Sequence, residues 1–215
     1  MSVSEISKTA WKVLIDNKIE QFPVRPTGIA RKNNILVFEY SDYMHATGRT
    51  CAELFDRYGK DGFTQLLNGR YTVFYNHCNS PARCRWTLAH ELGHIFLGHI
   101  TEQRPTLSRG VVKDFLDIQA DNFTARLLCP EVIAHFCDVQ SAEELRDLFD
   151  VSVQATQARW RSLSERRSRG SFRLESEEKI LLNQLDSFIA RYISEKANGV
   201  PDITPPGCRS LSYRI

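Results

Sequence analysis

Two histidines and one glutamate stand close together in the sequence, at His90, Glu91 and His94. On a helix, residues with the spacing of His90 and His94 project from one face about 6 Å apart along the axis, so their imidazoles can bind one metal ion. Glu91 projects beside this pair, where its carboxylate can reach a water on the metal. The residue types and their spacing therefore predict a metal site that activates water, which is the chemistry that peptide hydrolysis requires.

The residues that flank this motif predict a helix of about four and a half turns. Ser80 is typical of an N-cap and Pro81 of the first helical position, whereas Gly98 is typical of the residue just past a helix end. Gly93 lacks a side chain on the turn between the two histidines, which favours close approach by a neighbouring helix. Apolar residues recur at helical spacing between these ends, at Leu88, Leu92, Ile95 and Phe96.

A catalytic zinc requires a third protein ligand and keeps its fourth position for water. His99 is one candidate, but it would lie about 180° from His90 on a continuous helix, so a helix-end histidine is the favoured interpretation. A second predicted helix carries Asp114, Asp117 and Asp121 on one face. In zinc peptidases one carboxylate binds the metal, and another accepts a hydrogen bond from a ligating histidine. This division of roles predicts Asp117 as the third ligand and Asp121 as the residue that orients a histidine.

Three motifs follow one another along the chain. Residues 83–89 have the pattern R-x-R-W-T-L-A, residues 90–94 read His-Glu-Leu-Gly-His and are followed by Leu-Gly-His, and residues 120–130 have the pattern A-D-x-F-x-A-x-L-L-x-P. Together they resemble the ImmA/IrrE family of metallo-endopeptidases. The resemblance runs from about residue 11 to residue 163.

The resemblance implies an α+β fold with a zincin-like metallopeptidase core, made of a small sheet, the HExxH helix and a third-ligand helix. By position, His90 and His94 match the histidine ligands of the family, and Glu91 matches its catalytic glutamate. Asp117 occupies the third-ligand position, where the family usually has glutamate, so its shorter side chain requires a closer helix. The implied cofactor is one Zn²⁺ per chain, with Asp121 beside a ligating histidine.

What the resemblance implies for function is a zinc-dependent endopeptidase that cleaves a helix-turn-helix transcriptional repressor and so derepresses genes of a mobile element or a stress response. The alternative is a DNA-binding or protein-binding regulator that has a metallopeptidase fold with little or no peptidase activity. An iron oxygenase is disfavoured, because its carboxylate usually lies two residues after the first histidine, where this chain has Leu92. A structural zinc site would require four closed ligands and would not use Glu91.

The 215 residues are 42% hydrophobic, which is enough to form a globular core. The length suits one domain, or one domain and a half. The formal charge of +2 gives no overall signal for a polyanionic partner. We expect neither a signal peptide nor a membrane span, and hence a cytoplasmic protein, because no charged leader or long apolar run is present. The six cysteines include no CxxC pair, which favours reduced thiols over disulfides.

We expect a metallopeptidase domain over residues 1–138, a helical region over 139–196 and an irregular tail over 197–215. A strand is predicted at 69–76, shortly before the metal helix. Its edge is either open for pairing with an extended substrate or buried in a core hairpin. Asn76, His77 and Arg85 are candidates for polarising the scissile carbonyl. In the tail, Cys208 could reach the zinc and hold the enzyme latent.

Residues 141–163 have the pattern of a helix-turn-helix, with a turn at 150–152. DNA binding is one interpretation, because the second helix carries polar residues that could read base edges, and residues 159–173 contain six arginines. Substrate docking or structural packing is the favoured one. Residues 174–195 predict a single amphipathic helix that covers either the core or a second subunit, so both a monomer and a homodimer are consistent with it. The candidate base-reading residues are Gln154, Gln157, Arg159 and Arg161.

Overall fold

The computed structural model describes residues 1–107, 111–170 and 172–199, without the side chains of 111–113. Most of the predicted tail, including Cys208, lies outside the described residues. Those residues form eleven helices and a three-stranded sheet, which confirms the α+β class and the C-terminal helices. The elements are α1 (Val3–Asp16), α2 (Pro26–Lys32), β1 (Leu36–Glu39), α3 (Tyr40–Thr47), α4 (Cys51–Arg57), β2 (Gly62–Leu67), β3 (Arg70–Tyr75), α5 (Pro81–Phe96), α6 (Val111–Leu128), α7 (Glu131–Phe136), α8 (Ala142–Phe149), α9 (Val153–Ser168), α10 (Ser176–Gln184) and α11 (Asp186–Ala197).

The predicted strand before the metal helix is β3, and it lies in the middle of the sheet. The strand order is β1-β3-β2, with β1 parallel and β2 antiparallel to β3. The interpretation that β3 offers an open edge to substrate is therefore wrong, because both of its edges are paired. The edge strand nearest to α5 is β2, which the sequence analysis did not identify. The turn between β2 and β3 contains Asn68 and Gly69, both with positive φ, and Asn-Gly is a strong hairpin signal.

Helices α5 and α6 pack closely where Gly93 faces α6. A Cβ atom built on Gly93 would lie 3.0 Å from Cδ1 of Phe123 and 3.3 Å from Cα of Ala120. Both of these residues are fully buried. The predicted close approach of a second helix at Gly93 is therefore confirmed, and it brings the acidic face of α6 next to the two histidines of α5.

A pair of glycine substitutions tests this contact. Gly28 lies in α2 and has nothing within 4 Å of a built Cβ, so Gly28→Ala should stabilise the protein by up to about 1 kcal/mol through helix propensity. Gly93→Val should instead lower the free energy of unfolding by about 1–3 kcal/mol, because its side chain overpacks the helix contact. Denaturant titrations measure both changes. A Gly93→Val protein as stable as the wild type would contradict the close packing.

The apolar core is continuous from α1 to α11. Leu14 of α1 belongs to the same buried cluster as Phe149, Leu163 and Leu181. The side-chain amide of Gln184 in α10 donates hydrogen bonds to the carbonyls of Leu14 and Ile19. The segment predicted as one helix over 174–195 is two consecutive helices, α10 and α11. In the part of the chain that the structure describes, no helix has both the length and the apolarity needed to cross a membrane.

Candidate metal centre and its cleft

The metal-site helix begins and ends close to the predicted positions. The hydroxyl oxygen of Ser80 accepts a hydrogen bond from the backbone N–H of Arg83, and Pro81 is the first residue of α5. Gly98 has a φ of +71°, the left-handed conformation that glycine adopts at low cost. Local capping therefore places His90 and His94 one turn apart on a regular helix, with α6 packed beside them.

Two imidazole nitrogens and one carboxylate oxygen converge between α5 and α6. Nε2 of His94 lies 3.0 Å from Nε2 of His90, and Oδ1 of Asp117 lies 3.1 Å from the former and 3.5 Å from the latter. The donor atoms of the three residues all lie within 4.8 Å of one another. Histidine nitrogen and carboxylate oxygen are donors that divalent metals such as zinc accept. The group could therefore hold a metal ion.

The second nitrogen of His90 faces Asp121. Nδ1 of His90 lies 2.9 Å from Oδ1 of Asp121, which leaves Nε2 directed at the converging group. Burial opposes protonation of His90, but the carboxylates of Asp117 and Asp121 outweigh it and raise its pKa to about 10 without a metal. A metal that binds His90 therefore competes with a proton, because a ligating imidazole must be neutral.

Glu91 is buried beside the histidines and is held from β2. The hydroxyl of Thr64 donates a 2.7 Å hydrogen bond to Oε2 of Glu91, and both side chains are buried. This contact orients the carboxylate while leaving its other oxygen for a further partner. Sequence reasoning missed Thr64, because a threonine in a strand is common and nothing in its spacing relates it to a helix further along the chain.

His99 lies just after α5 but does not join the converging group. Its Nδ1 is 2.9 Å from Nδ1 of His94, and its Nε2 is 3.3 Å from Oε1 of Gln119. Burial lowers the pKa of His99 to about 4, so its imidazole is neutral at physiological pH. His99 thus lies at the helix end, as predicted, and its ring is buried against His94.

A cleft of about 980 Å³ opens onto these residues. Its walls come from the start of β2, one face of α5, the acidic face of α6, and the turn between α8 and α9. His90, Glu91 and Asp117 line it together with Asp114 and Asp121. The cleft is therefore large enough for several residues of a peptide chain and places them against the converging group.

Of the three candidates for polarising a carbonyl, Arg85 lines the cleft and the other two do not. The guanidinium of Arg85 forms a 2.7 Å ion pair with Asp150 and donates a 2.9 Å hydrogen bond to the carbonyl of Phe149. Asn76 instead donates to the carbonyl of Lys60, and His77 pairs with Glu39. Arg85 thus ties the turn between α8 and α9 to the metal-site helix.

The helix pair α8 and α9 has the predicted outline, but three arginines of α9 bond to other helices and loops of the same chain. Arg159 is buried, donates two hydrogen bonds to the carbonyl of Cys129 and forms a 2.9 Å ion pair with Glu131. Arg166 pairs with Glu178, and Arg167 donates to the carbonyl of Val139. The interpretation that Arg159 could read base edges is therefore wrong. Gln154 lines the cleft, and the other two candidates, Gln157 and Arg161, are exposed.

A small sheet, a helix carrying the HExxH residues and a second helix carrying a carboxylate toward them define a protein of the metallopeptidase type. A family model described as the IrrE N-terminal-like domain, from a peptidase family, matches residues 46–161, which is more than half of the chain. The chain belongs to this family, and the resemblance seen in its sequence motifs is confirmed. The matched range contains both α5 and α6. No curated protein matches the chain significantly.

Proposed function

We propose that this protein is a zinc-dependent endopeptidase that cleaves a helix-turn-helix transcriptional repressor. The observation that carries the proposal is the convergence of Nε2 of His90, Nε2 of His94 and Oδ1 of Asp117 beside the buried carboxylate of Glu91. In this proposal the three converging residues hold one zinc ion. Asp121 accepts a hydrogen bond from His90 and keeps its Nε2 directed at the metal.

The chemistry follows from the position of Glu91. A bound zinc supplies a Lewis acid that lowers the pKa of water toward about 7 and polarises the scissile carbonyl. Glu91 takes the proton from the attacking water and then delivers it to the leaving amine. Thr64 holds one oxygen of the Glu91 carboxylate, so that the other is free to act as the base. Thr64 and Glu91 are both buried, so bulk water competes little for the hydrogen bond between them.

Substrate is proposed to bind in an extended form along β2. The far end of this strand is covered, because the backbone N–H of Leu66 donates a 2.7 Å hydrogen bond to the carbonyl of Pro105 and Gln65 bridges Thr106. Gly62, at the start of β2, lines the cleft near Glu91. Main-chain pairing with a peptide there would bring the scissile bond to the catalytic group without depending on substrate side chains.

The repressor substrate is proposed from the family resemblance, and it is tested directly. In the family that the chain resembles, the repressor is usually encoded beside the peptidase gene. A helix-turn-helix repressor from that position is incubated with the protein, with and without a chelator, and the products are analysed by mass spectrometry. We expect one discrete cut that the chelator abolishes. A metal-loaded protein that leaves this repressor intact would overturn the choice of substrate, whereas equal cleavage in chelator would overturn the metal mechanism.

Substitution of Thr64 by valine tests the role of the Glu91 contact. Valine keeps the shape of threonine but removes the hydroxyl that donates to Glu91, so the carboxylate loses its fixed orientation. We expect kcat to fall by roughly 10–100-fold with little change in KM, since a misplaced catalytic group affects the chemical step. Steady-state kinetics separates the two constants. A change in KM alone would show that Thr64 acts on substrate binding instead.

A further inference from the structure

We propose that His99 and Gln119 act together as positioning residues that fix the tautomer of His94 required for metal binding, an inference that rests on the proposed function. The three side chains form a continuous row, from Gln119 through His99 to His94. Its end is the Nε2 atom of His94 that faces Asp117. His94 would thus bind the metal through Nε2, while His99 and Gln119 behind it determine which of its ring nitrogens carries the proton.

All members of this row are removed from solvent. The exposed fractions of His94, His99 and Gln119 are 2%, 4% and 7%. A buried polar group requires a partner, and these side chains supply partners to one another. Because water does not compete at these positions, the hydrogen bonds between the side chains decide which ring nitrogen carries a proton.

The atoms at each contact determine which side chain of the row donates each hydrogen bond and which accepts it. Oε1 of Gln119 can only accept, so Nε2 of His99 is the N–H group at this 3.3 Å contact. With the proton of the His99 ring on Nε2, its lone pair lies at Nδ1, which accepts from Nδ1–H of His94 at 2.9 Å. With its proton on Nδ1, His94 presents a lone pair at Nε2, which is the form that binds a metal. The opposite direction would place a proton on Nε2 and block the site.

The chain reverses after α5 to make this contact. On a continuous helix His99 would point about 180° away from His90, but α5 ends at Phe96 and Gly98 takes a positive φ. The backbone N–H of His99 donates to the carbonyl of His94, and its own carbonyl accepts from Nε of Arg104. These bonds fix the main chain of His99 on both sides and hold its ring against His94.

Zinc affinity tests the proposal without depending on peptidase activity. Zn²⁺ is titrated against a chromogenic chelator in the presence of the full-length wild type, His99→Phe and His99→Asn. We expect the dissociation constant of His99→Phe to rise about 10–100-fold, the usual cost of losing a group that orients a ligand. In His99→Asn the amide oxygen can accept from His94 near the position of the lost Nδ1, so the affinity should return toward the wild type. His45→Phe, at an exposed histidine of α3, serves as a control and should bind zinc normally.

Variants of Gln119 test the direction of the row and remain informative if His99→Phe does not fold. The ionised carboxylate introduced by Gln119→Glu could only accept a hydrogen bond, so this variant should preserve or tighten zinc binding. Gln119→Leu removes the acceptor and should weaken zinc binding. Nitrogen-15 NMR of the histidine rings should show the proton of His94 on Nδ1 in the wild type.

The outcomes separate this inference from the function on which it rests. A wild type that binds no Zn²⁺ would overturn the proposed function itself. A wild type that binds Zn²⁺, together with a folded His99→Phe of unchanged affinity, would overturn only the role of His99. Weaker binding in Gln119→Glu would show that the row runs in the opposite direction.

Discussion

Glu91→Gln is expected to lower the rate of peptide cleavage by roughly 10²–10⁴-fold while zinc stays bound. The amide has almost the same shape as the carboxylate and can still accept the hydrogen bond from Thr64, but it cannot take a proton from water. The three residues proposed to hold the metal are unchanged by this substitution. Catalysis and metal binding should therefore separate in one variant.

Two measurements on the same preparation check this result. Metal content is determined after gel filtration, and cleavage of the repressor is followed over time at saturating enzyme. A fully active Glu91→Gln protein would remove Glu91 from the mechanism. A variant that loses both metal and activity would show that Glu91 supports the metal site instead of the chemical step.

Asp117→Ala is expected to weaken zinc binding by more than about 100-fold and to abolish cleavage. Loss of a group that only orients a ligand usually lowers metal affinity about 10–100-fold. Loss of the ligand itself should lower it further. Removing the carboxylate also leaves His90 and His94 without the negative charge that faces both of their Nε2 atoms. This substitution tests the position at which the chain departs from its family, which usually has glutamate there.

Asp114→Ala is the matched control. Asp114 lies one turn earlier on α6, is exposed and lines the same cleft, but it does not belong to the converging group. Its loss should change the local charge of the cleft and leave the zinc affinity within about twofold, since an exposed carboxylate outside the donor set contributes little. An equal loss of zinc affinity in Asp114→Ala and Asp117→Ala would point to a general effect of negative charge in the cleft rather than to ligation by Asp117.

Local patterns were sufficient to predict the helix that carries the candidate site. The signals at Ser80, Pro81 and Gly98 act within one turn of the helix, so they specify its limits without information from the rest of the fold. Gly93 predicted a neighbouring helix for a similar reason, because a missing side chain leaves room for one. The identity of that helix came from its acidic face, at Asp114, Asp117 and Asp121, and the family resemblance implied the same two site residues by position.

Long-range pairing explains the features that the sequence did not reveal. The position of β3 in the middle of the sheet depends on β1 and β2, and no pattern within β3 records which strands lie beside it. The contact from Thr64 to Glu91 joins two elements that are distant in sequence, and a single threonine carries no sign of it. The prediction that His99 is a helix-end histidine holds, but its contact with His94 was not foreseen, because helical rotation gives no guide to the side chain once the chain reverses at Gly98.

The arginines of α9 show a second limit of prediction from sequence. Their number suggested a surface for nucleic acid, yet composition cannot distinguish a solvated cation from one that closes an internal ion pair. Arg159 and Arg166 each meet buried or half-buried glutamates, at Glu131 and Glu178. A cation used in this way holds helices together and contributes little to the field outside the protein.

The buried cluster shared by α1 and the helices after residue 138 has an evolutionary consequence. A recombination breakpoint at that position would strip Leu14 and Phe22 of the aliphatic and aromatic neighbours they need, including the edge-to-face ring of Phe149. Such a fragment would expose these apolar side chains and would be prone to aggregation. Recombination at that position should therefore be selected against.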